Sequence, residues 1–454
     1  MAWAWTASAL SQTRSWARSS PSCPLRTARA PRFSPLAGAT SLNLDCRGLP
    51  DNDDHHNLLA AVISRVLSAH PGPCRLFAVP AHHLIRDDDD RAAAAVDAWL
   101  RSPALDNLQE IDFYGLRPPW FLRLRQPSSA ALPPPPPPAS AFRRFSATLR
   151  AATIGPCYIS DGLAFGFPRL QQLALQQVCI SDSSLHGIVS ACPALEHLFL
   201  RHSYGFRRVR VNSGSLVSVG AIVDSIGLRR GSLVEVVVED APRLQRLLFS
   251  QRIDFGLKVS VVSAPRLHTL GSLCDFFGDS SFEFGSTTFQ GFRAVSLMTV
   301  LQNVKNLAVA SFHLNLDMVL DLMKCFPCLD KLYIKLSVTG SKNRWRRKHV
   351  QFIRGYDIRL KTLVFEGYRG IKSQVNFVSF FLVNARELEV MRLEVGEKCS
   401  EEFSAEQRTM LQMETRASIR ARLEFYTKKC RCHRLHIEHV RDLSSIADPF
   451  ECTC

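Results

Sequence analysis

From residue 104 onward one hydrophobic pattern recurs, L-x-x-L-x-L with apolar substitutes, often just after a proline. Leu105, Leu108, Ile111 and Phe113 form a degenerate first copy. Clear copies are Leu170-Leu173-Leu175 and Leu195-Leu198-Leu200, then Leu233-Val236-Val238 and Leu244-Leu247-Phe249. Val304-Leu307-Val309, Leu329-Leu332-Ile334, Leu360-Leu363-Phe365 and Leu388-Met391-Leu393 continue the series, with Cys432-Leu435-Ile437 as a weaker last copy. The first residue advances by 25 from Leu170 to Leu195, by 25 from Val304 to Leu329 and by 28 from Leu360 to Leu388. The last two apolar positions of each copy alternate on one face of a short strand. The spacing predicts helices between strands over 183–191 and 317–325. Upstream, apolar positions 58, 59, 62, 63, 66 and 67 predict a helix over 57–69, with Asn57 as N-cap and Pro71-Gly72 as its stop. A short strand over 76–79 and a helix over 91–100 follow, the helix preceded by four aspartates that favour its dipole.

Units of ~20–29 residues with this signature are leucine-rich repeats, in which no single unit buries its apolar side without a neighbour. The expected fold class is therefore α/β: an irregular leucine-rich-repeat solenoid, a curved parallel sheet with helices on the convex side. The spacing is uneven and the usual turn asparagine is missing, so an ordinary α/β domain stays open as the alternative. Residues 117–140 form a proline-rich insertion whose run Pro133–Pro138 is an extended rod without ladder donors. It reads as a surface linker, or as bait for a polyproline-binding partner.

Composition fits that picture. A chain of 454 residues that is 46% hydrophobic and 21% charged has material for a core, which excludes a mainly disordered chain or a small disulfide-stapled fold. No apolar run reaches the ~18–20 residues of a transmembrane helix. The fourteen cysteines sit mostly in hydrophobic stretches and read as buried thiols of a reducing compartment. The net charge of +15 is concentrated: residues 1–44 hold five arginines and no acid, and residues 342–369 hold nine Lys/Arg against Asp357 and Glu366. Charge in a terminal arm and one loop with its flanks is not the basic face of a nucleic-acid-binding body. Neither nucleic acid nor membrane is an expected partner. Residues 1–44, rich in Ser and Arg, read as an unstructured tail, with an organelle transit peptide as the minority reading.

Tempting chemistry is weak. Gly367-Tyr-Arg-Gly370-Ile-Lys372-Ser373 has the wrong gaps for a phosphate loop and reads as a turn feeding a helix. Cys430, Cys432, His433, His436, His439, Cys452 and Cys454 fit zinc spacings poorly. A strand through Leu435 and Ile437 puts His433 and His439 on one face and His436 on the other. The pairs His55-His56 and His82-His83 lie in loops beside a solvated acidic run. No catalytic, metal or cofactor residue is assigned, and the expected activity is binding. The x positions of the strands would form a recognition surface: His197, Phe199, Gln245, Lys331 and Tyr333, with Gln172, Ala174, Lys361, Thr362 and Val364 beside them. The basic stretch around Arg344, Trp345, Arg346 and Arg347 reads as an anion-binding rim loop, a nuclear localisation signal or a solvated inter-repeat loop.

Three further segments carry a resemblance. SACPALEHLFL at 190–200, VVVEDAPRLQRLL at 236–248 and RLKTLVFEGYRGIKSQVNFVSFFLVNARELEVMRLEV at 359–395 resemble plant F-box/LRR proteins, the last one their FBD domain. LNLDCRGLP at 42–50 is similar to the segment following the F-box in that family. The resemblance implies a substrate receptor of an SCF-type ubiquitin ligase, a non-catalytic subunit that binds a target protein through its repeats. Its partners would be a substrate protein and, given an F-box, the SCF adaptor and cullin; its place would be cytoplasmic or nuclear. Residues 1–41 contain neither a Leu-Pro opening nor a Trp-Arg-x-x-Trp element, so the F-box is expected to be lost or read in a shifted frame. The alternative function is a stand-alone LRR/FBD interaction protein that recruits no ligase. The expected division is 1–44 tail or degenerate F-box region, 45–116 start of the array, 117–140 insertion, 141–355 solenoid, 356–440 FBD-type C-terminal unit and 441–454 tail.

Overall fold

In most copies the last two apolar positions of the leucine triplets lie in parallel strands, as their spacing requires. The structure is a computed structural model and describes residues 42–46, 56–70, 73–79, 89–113, 143–155, 157–161, 166–223, 233–251, 256–275, 279–296, 301–311, 316–336, 357–396, 400–427 and 435–451. The proline-rich insertion, the basic stretch with Arg344–Arg347, residues 1–41 and most of the cysteine- and histidine-rich candidates lie outside these. The chain divides into two units, residues 1–157 with 165–170 and residues 158–164 with 171–454.

In the first unit four strands pair in parallel and in chain order: β1 Leu42–Asp45, β2 Cys74–Ala78, β3 Glu110–Phe113 and β4 Ala151–Ile154. Helices α1 His56–Ala69 and α2 Asp89–Leu100 form where helices were expected, but Asn57 lies inside α1 rather than capping it and Val62 of its expected apolar face is exposed. Ile63, Leu67, Val96 and Trp99 are buried. The Trp99 indole meets Phe77 edge-on at 6.4 Å and donates to Ser64 Oγ at 2.8 Å. An aromatic ring of this size is fully used only when its N–H finds such a partner.

In the second unit ten strands pair in parallel, again in chain order. They are β5 Gln172–Gln176, β6 His197–Arg201, β7 Ser218–Val223, β8 Arg246–Gln251 and β9 Thr269–Asp275, then β10 Asn306–Ser311, β11 Lys331–Leu336, β12 Thr362–Tyr368, β13 Val390–Val395 and β14 Arg422–Tyr426. Register aligns Leu173, Leu198, Val219, Leu247, Leu270, Leu307, Leu332, Leu363, Met391 and Leu423 in one row. Nearly all are fully buried. Helices α3 Asp182–Ser190 and α4 Leu316–Cys325 fall where the pattern puts them, and α5 Lys372–Asn384 follows the glycine turn that was read as feeding a helix.

Three expectations need correction. Between β6 and β10 the described residues behind the repeat are strands rather than helices. The chain crosses to a second sheet whose strands run 208–212, 235–240, 258–261, 281–284, 287–290 and 293–296. Val236 and Val238 belong to this sheet, so Leu233-Val236-Val238 is not a copy in the main one. Strict alternation buries one side, Val209, Val211, Val236, Val238, Val259, Val261, Phe282 and Phe284, which is strand chemistry rather than helix chemistry. Its other side carries a charge ladder, Arg208 to Glu235 at 2.8 Å and Lys258 to Glu235 and Glu283 at 3.5 and 3.8 Å. Second, Leu435 and Ile437 are in no strand; the last strand among the described residues is β14, and both side chains pack elsewhere. His436 and His439 therefore have no strand faces to be sorted onto. Third, Ala78 ends β2 and β1 begins at Leu42, so the array starts inside the segment assigned to the tail.

The Gly367–Ser373 turn is closed by the chain itself. Gln374 accepts from the Arg369 amide at 2.7 Å and donates to the Gly367 carbonyl at 3.1 Å. Gly370 has φ +70°, and a Cβ there would lie 2.6 Å from Gln407, which in turn accepts from the Tyr368 hydroxyl at 2.7 Å. The glycine is required by both the left-handed backbone and the close approach of helix α6, Glu401–Met410. No described helix is long and apolar enough to cross a membrane.

Candidate functional site: a side-chain row and the segment that covers it

Because side chains alternate across a strand, the leucine row and its neighbours point to opposite faces. Phe365 packs on Phe377 of α5 with ring centroids 5.7 Å apart, which fixes the helix side. The next row contains Ala174, Phe199, Gly220, Leu248, Ala308, Tyr333, Val364 and Arg392. It faces away from the helices, where the x positions were expected. It is not open. Ala174, Phe199, Ile222, Leu248, Ala308, Tyr333 and Val364 form one buried cluster with Leu435, Ile437, Val440, Leu443 and Phe450. The chain's own residues 435–451, referred to below as the strap, lie across the row.

The strap is anchored by named contacts along the row. Arg201 donates to the Glu438 carbonyl at 3.0 Å. Arg246 donates to the carbonyls of Leu443 and Ile446 at 2.9 and 2.6 Å. Asp448 receives Lys331 Nζ at 2.9 Å and the Tyr333 hydroxyl at 2.7 Å, and the Tyr333 and Phe450 rings sit 5.3 Å apart. Arg392 pairs with Glu451 and, at 2.9 Å, with Glu424. Gly220 is the point of closest approach: a Cβ there would lie 2.9 Å from a Leu443 methyl and 3.1 Å from Phe199. Burial, with the Asp448 carboxylate adjacent, holds the Tyr333 phenol protonated far above its usual range.

The predicted surface residues can now be placed. Phe199 is fully buried and Tyr333 is 6% exposed, both under the strap. Lys331 is half-buried against Asp448. His197 is buried, and its Nδ1 has no hydrogen-bond partner. Gln245 lies one position early: in its copy the residues equivalent to His197 and Phe199 are Arg246 and Leu248. The Gln245 backbone pairs with Val217, His268 and Thr269 instead. Aligning the copies by their second leucine would have found Arg246. Nothing in the repeat pattern marks Asp448 or Phe450, which lie in the segment assigned to a tail.

The His197 ring titrates below the ordinary histidine range. Burial is the main cause; Glu196 opposes it and Arg246 reinforces it. A depressed folded pKa means that protonation favours the unfolded chain. The stability contribution is intact above the unfolded value of about 6.5 and is lost as pH falls from there through the folded value. His186 and His268 shift in the same direction, again chiefly through burial. Melting temperature is therefore expected to fall between pH 7.5 and 5.5, and His197→Gln to make that slope shallower. An unchanged slope would contradict the assignment.

Cys46, Cys74 and Cys325 are buried, and desolvation raises their thiols to about 12, about 11 and about 12. At neutral pH they are not nucleophiles. Among the described residues no group of three or more His, Cys, Asp or Glu is placed to hold a metal ion.

Two comparisons with known families align with these elements. Residues 96–334 match the family described as FBD-associated F-box protein At5g56370, LRR repeats. Residues 357–393 match the FBD family and span β12, the glycine turn, α5 and most of β13. No curated protein matches the chain. A leucine-rich match over more than half of its length, followed directly by the FBD match, makes this chain a member of the FBD-associated F-box protein family with leucine-rich repeats.

Proposed function

We propose that the chain is a non-catalytic protein-binding scaffold, with a role like that of a substrate-recognition subunit of an SCF-type ubiquitin ligase. The observation that carries the reading is the row away from the helices. It holds the aromatic residues Phe199 and Tyr333, with the cationic Arg246 and Lys331 two positions earlier on the same face, spread over β6, β8 and β11 and covered here by residues 435–451. These are the residue types that dominate contact energies when a partner buries them. The repeats and FBD units of this family are interaction modules, which supports the same reading. The basic stretch Arg344–Arg347 is proposed as a second contact region, for an acidic segment of the target.

The same row fits a second reading. In it the chain is a stand-alone LRR/FBD interaction protein that binds its target through the row without recruiting a ligase. Affinity capture of the full chain from a plant extract, followed by mass spectrometry, separates the two. Adaptor and cullin recovered with the target support the ligase role; a target recovered without them supports the stand-alone scaffold. Failure to recover any stoichiometric protein partner would contradict both.

A further inference from the structure

The strap is held as a ligand is held rather than as a repeat is held. Its internal bonds are local: one helical turn over Asp442–Ser445, the Glu438 and His439 amides donating to the Asp442 carboxylate at 2.8 Å each, Leu443 to the Val440 carbonyl at 3.2 Å, and one cross-link from the His436 amide to the Pro449 carbonyl at 3.1 Å. None of its residues enters the strand ladder of the second unit. Every polar contact named above between it and the row is made by a side chain of the array, from Arg201, Arg246, Lys331, Tyr333 and Arg392. The ladder of β5–β14 and the leucine row are complete without it.

We propose that residues 435–451 are an intramolecular occupant of the recognition row, and that the partner is a peptide segment of the same chemistry which takes their place. That segment would carry a turn with an aliphatic anchor for the seat over Gly220. An aspartate or glutamate would follow for Lys331 and Tyr333, then an aromatic residue for the face of Tyr333. The spacing Leu443, Asp448 and Phe450 records this order. Arg246 reads backbone carbonyls, so it demands a turn and not a particular side chain. With the strap seated, Phe199 and Tyr333 are unavailable; a competing segment must first displace it, so the strap sets a threshold for binding. The assignment rests on the scaffold reading but needs no captured target, so a failed capture and a failed strap exchange are separate results.

The test has two arms on the full chain. In hydrogen exchange, the amides of His436 and Leu443 are expected to open at least 100-fold more often than those of Leu332 and Tyr333 in β11. Strap amides that exchange only together with β11 would make the strap permanent core and overturn the proposal, whatever the variants do. In the second arm a labelled synthetic peptide of residues 435–451 is titrated onto wild type and onto Asp448→Ala/Phe450→Ala. The double variant is expected to bind it at least 10-fold more tightly than wild type, and a peptide carrying the same two substitutions is expected not to bind. A folded double variant that ignores the wild-type peptide overturns the proposal. So does a concentration-dependent dimer of the wild-type chain that the peptide dissolves, because that would seat a second copy's strap on the row.

Discussion

Leu332→Asp is expected to abolish the cooperative melting transition of the second unit. Leu332 is 1% exposed and sits mid-row between Leu307 and Leu363. A carboxylate there is stripped of water in a fully buried row and loses the packing of its leucine neighbours at once. An unpaired charge in such a site costs more than ~4 kcal/mol, a large part of the stability of an ordinary domain. Leu363→Asp should behave alike. The effect should also spread, because in a repeat each unit is stabilised mainly by its neighbours. Thermal unfolding followed by circular dichroism decides this. Near-wild-type melting of either variant would mean that the leucine row does not form the core.

The second large effect belongs to the C-terminal strands. Phe365→Ala is expected to destabilise the second unit by about 3–5 kcal/mol, the usual cost of removing a fully buried ring. Phe365 contacts Phe377 of α5 at 5.7 Å and Tyr368 edge-on at 6.0 Å, so the cavity would open between sheet and helix. Val364 is the adjacent residue, yet it faces the strap. Val364→Ala should cost clearly less and leave the α5 contacts intact. Chemical denaturation of the two variants measures the contrast. Equal losses would show that the two side chains do not point to opposite faces.

The two faces also explain what was legible in the amino-acid order. The leucine rows were readable because each copy restates them at a fixed offset, and Leu173, Leu198, Leu332 and Leu363 all fall in one row as expected. Helices α3 and α4 were readable for the same reason. The glycine turn of the FBD segment was read correctly as a turn, and Gln374 is the side chain that fills it. The second sheet was missed because Leu233-Val236-Val238 satisfies the leucine pattern while its short alternating run equally suits another sheet. Periodicity alone does not separate these two cases. The strap was missed for a deeper reason. Leu435 and Ile437 imitate the strand pattern without forming a strand, and Val440, Leu443 and Phe450 have no period of their own. Their partners, Phe199, Ile222, Leu248 and Tyr333, lie far back in the chain. Only the fold brings them together, and only then does the placement of Asp448, an acid in a segment assigned to a tail, become intelligible.

The central claim is that the x-position row turns away from the leucines and meets the carboxyl end of the same chain. Carbodiimide cross-linking read by peptide mass spectrometry tests it most directly, since Lys331 Nζ and the Asp448 carboxylate are 2.9 Å apart. An intramolecular Lys331–Asp448 amide is expected in the monomer and should vanish in Asp448→Asn. Recovery of unmodified Lys331, or of Asp448 joined to a lysine on the helix side of the sheet, would contradict the account.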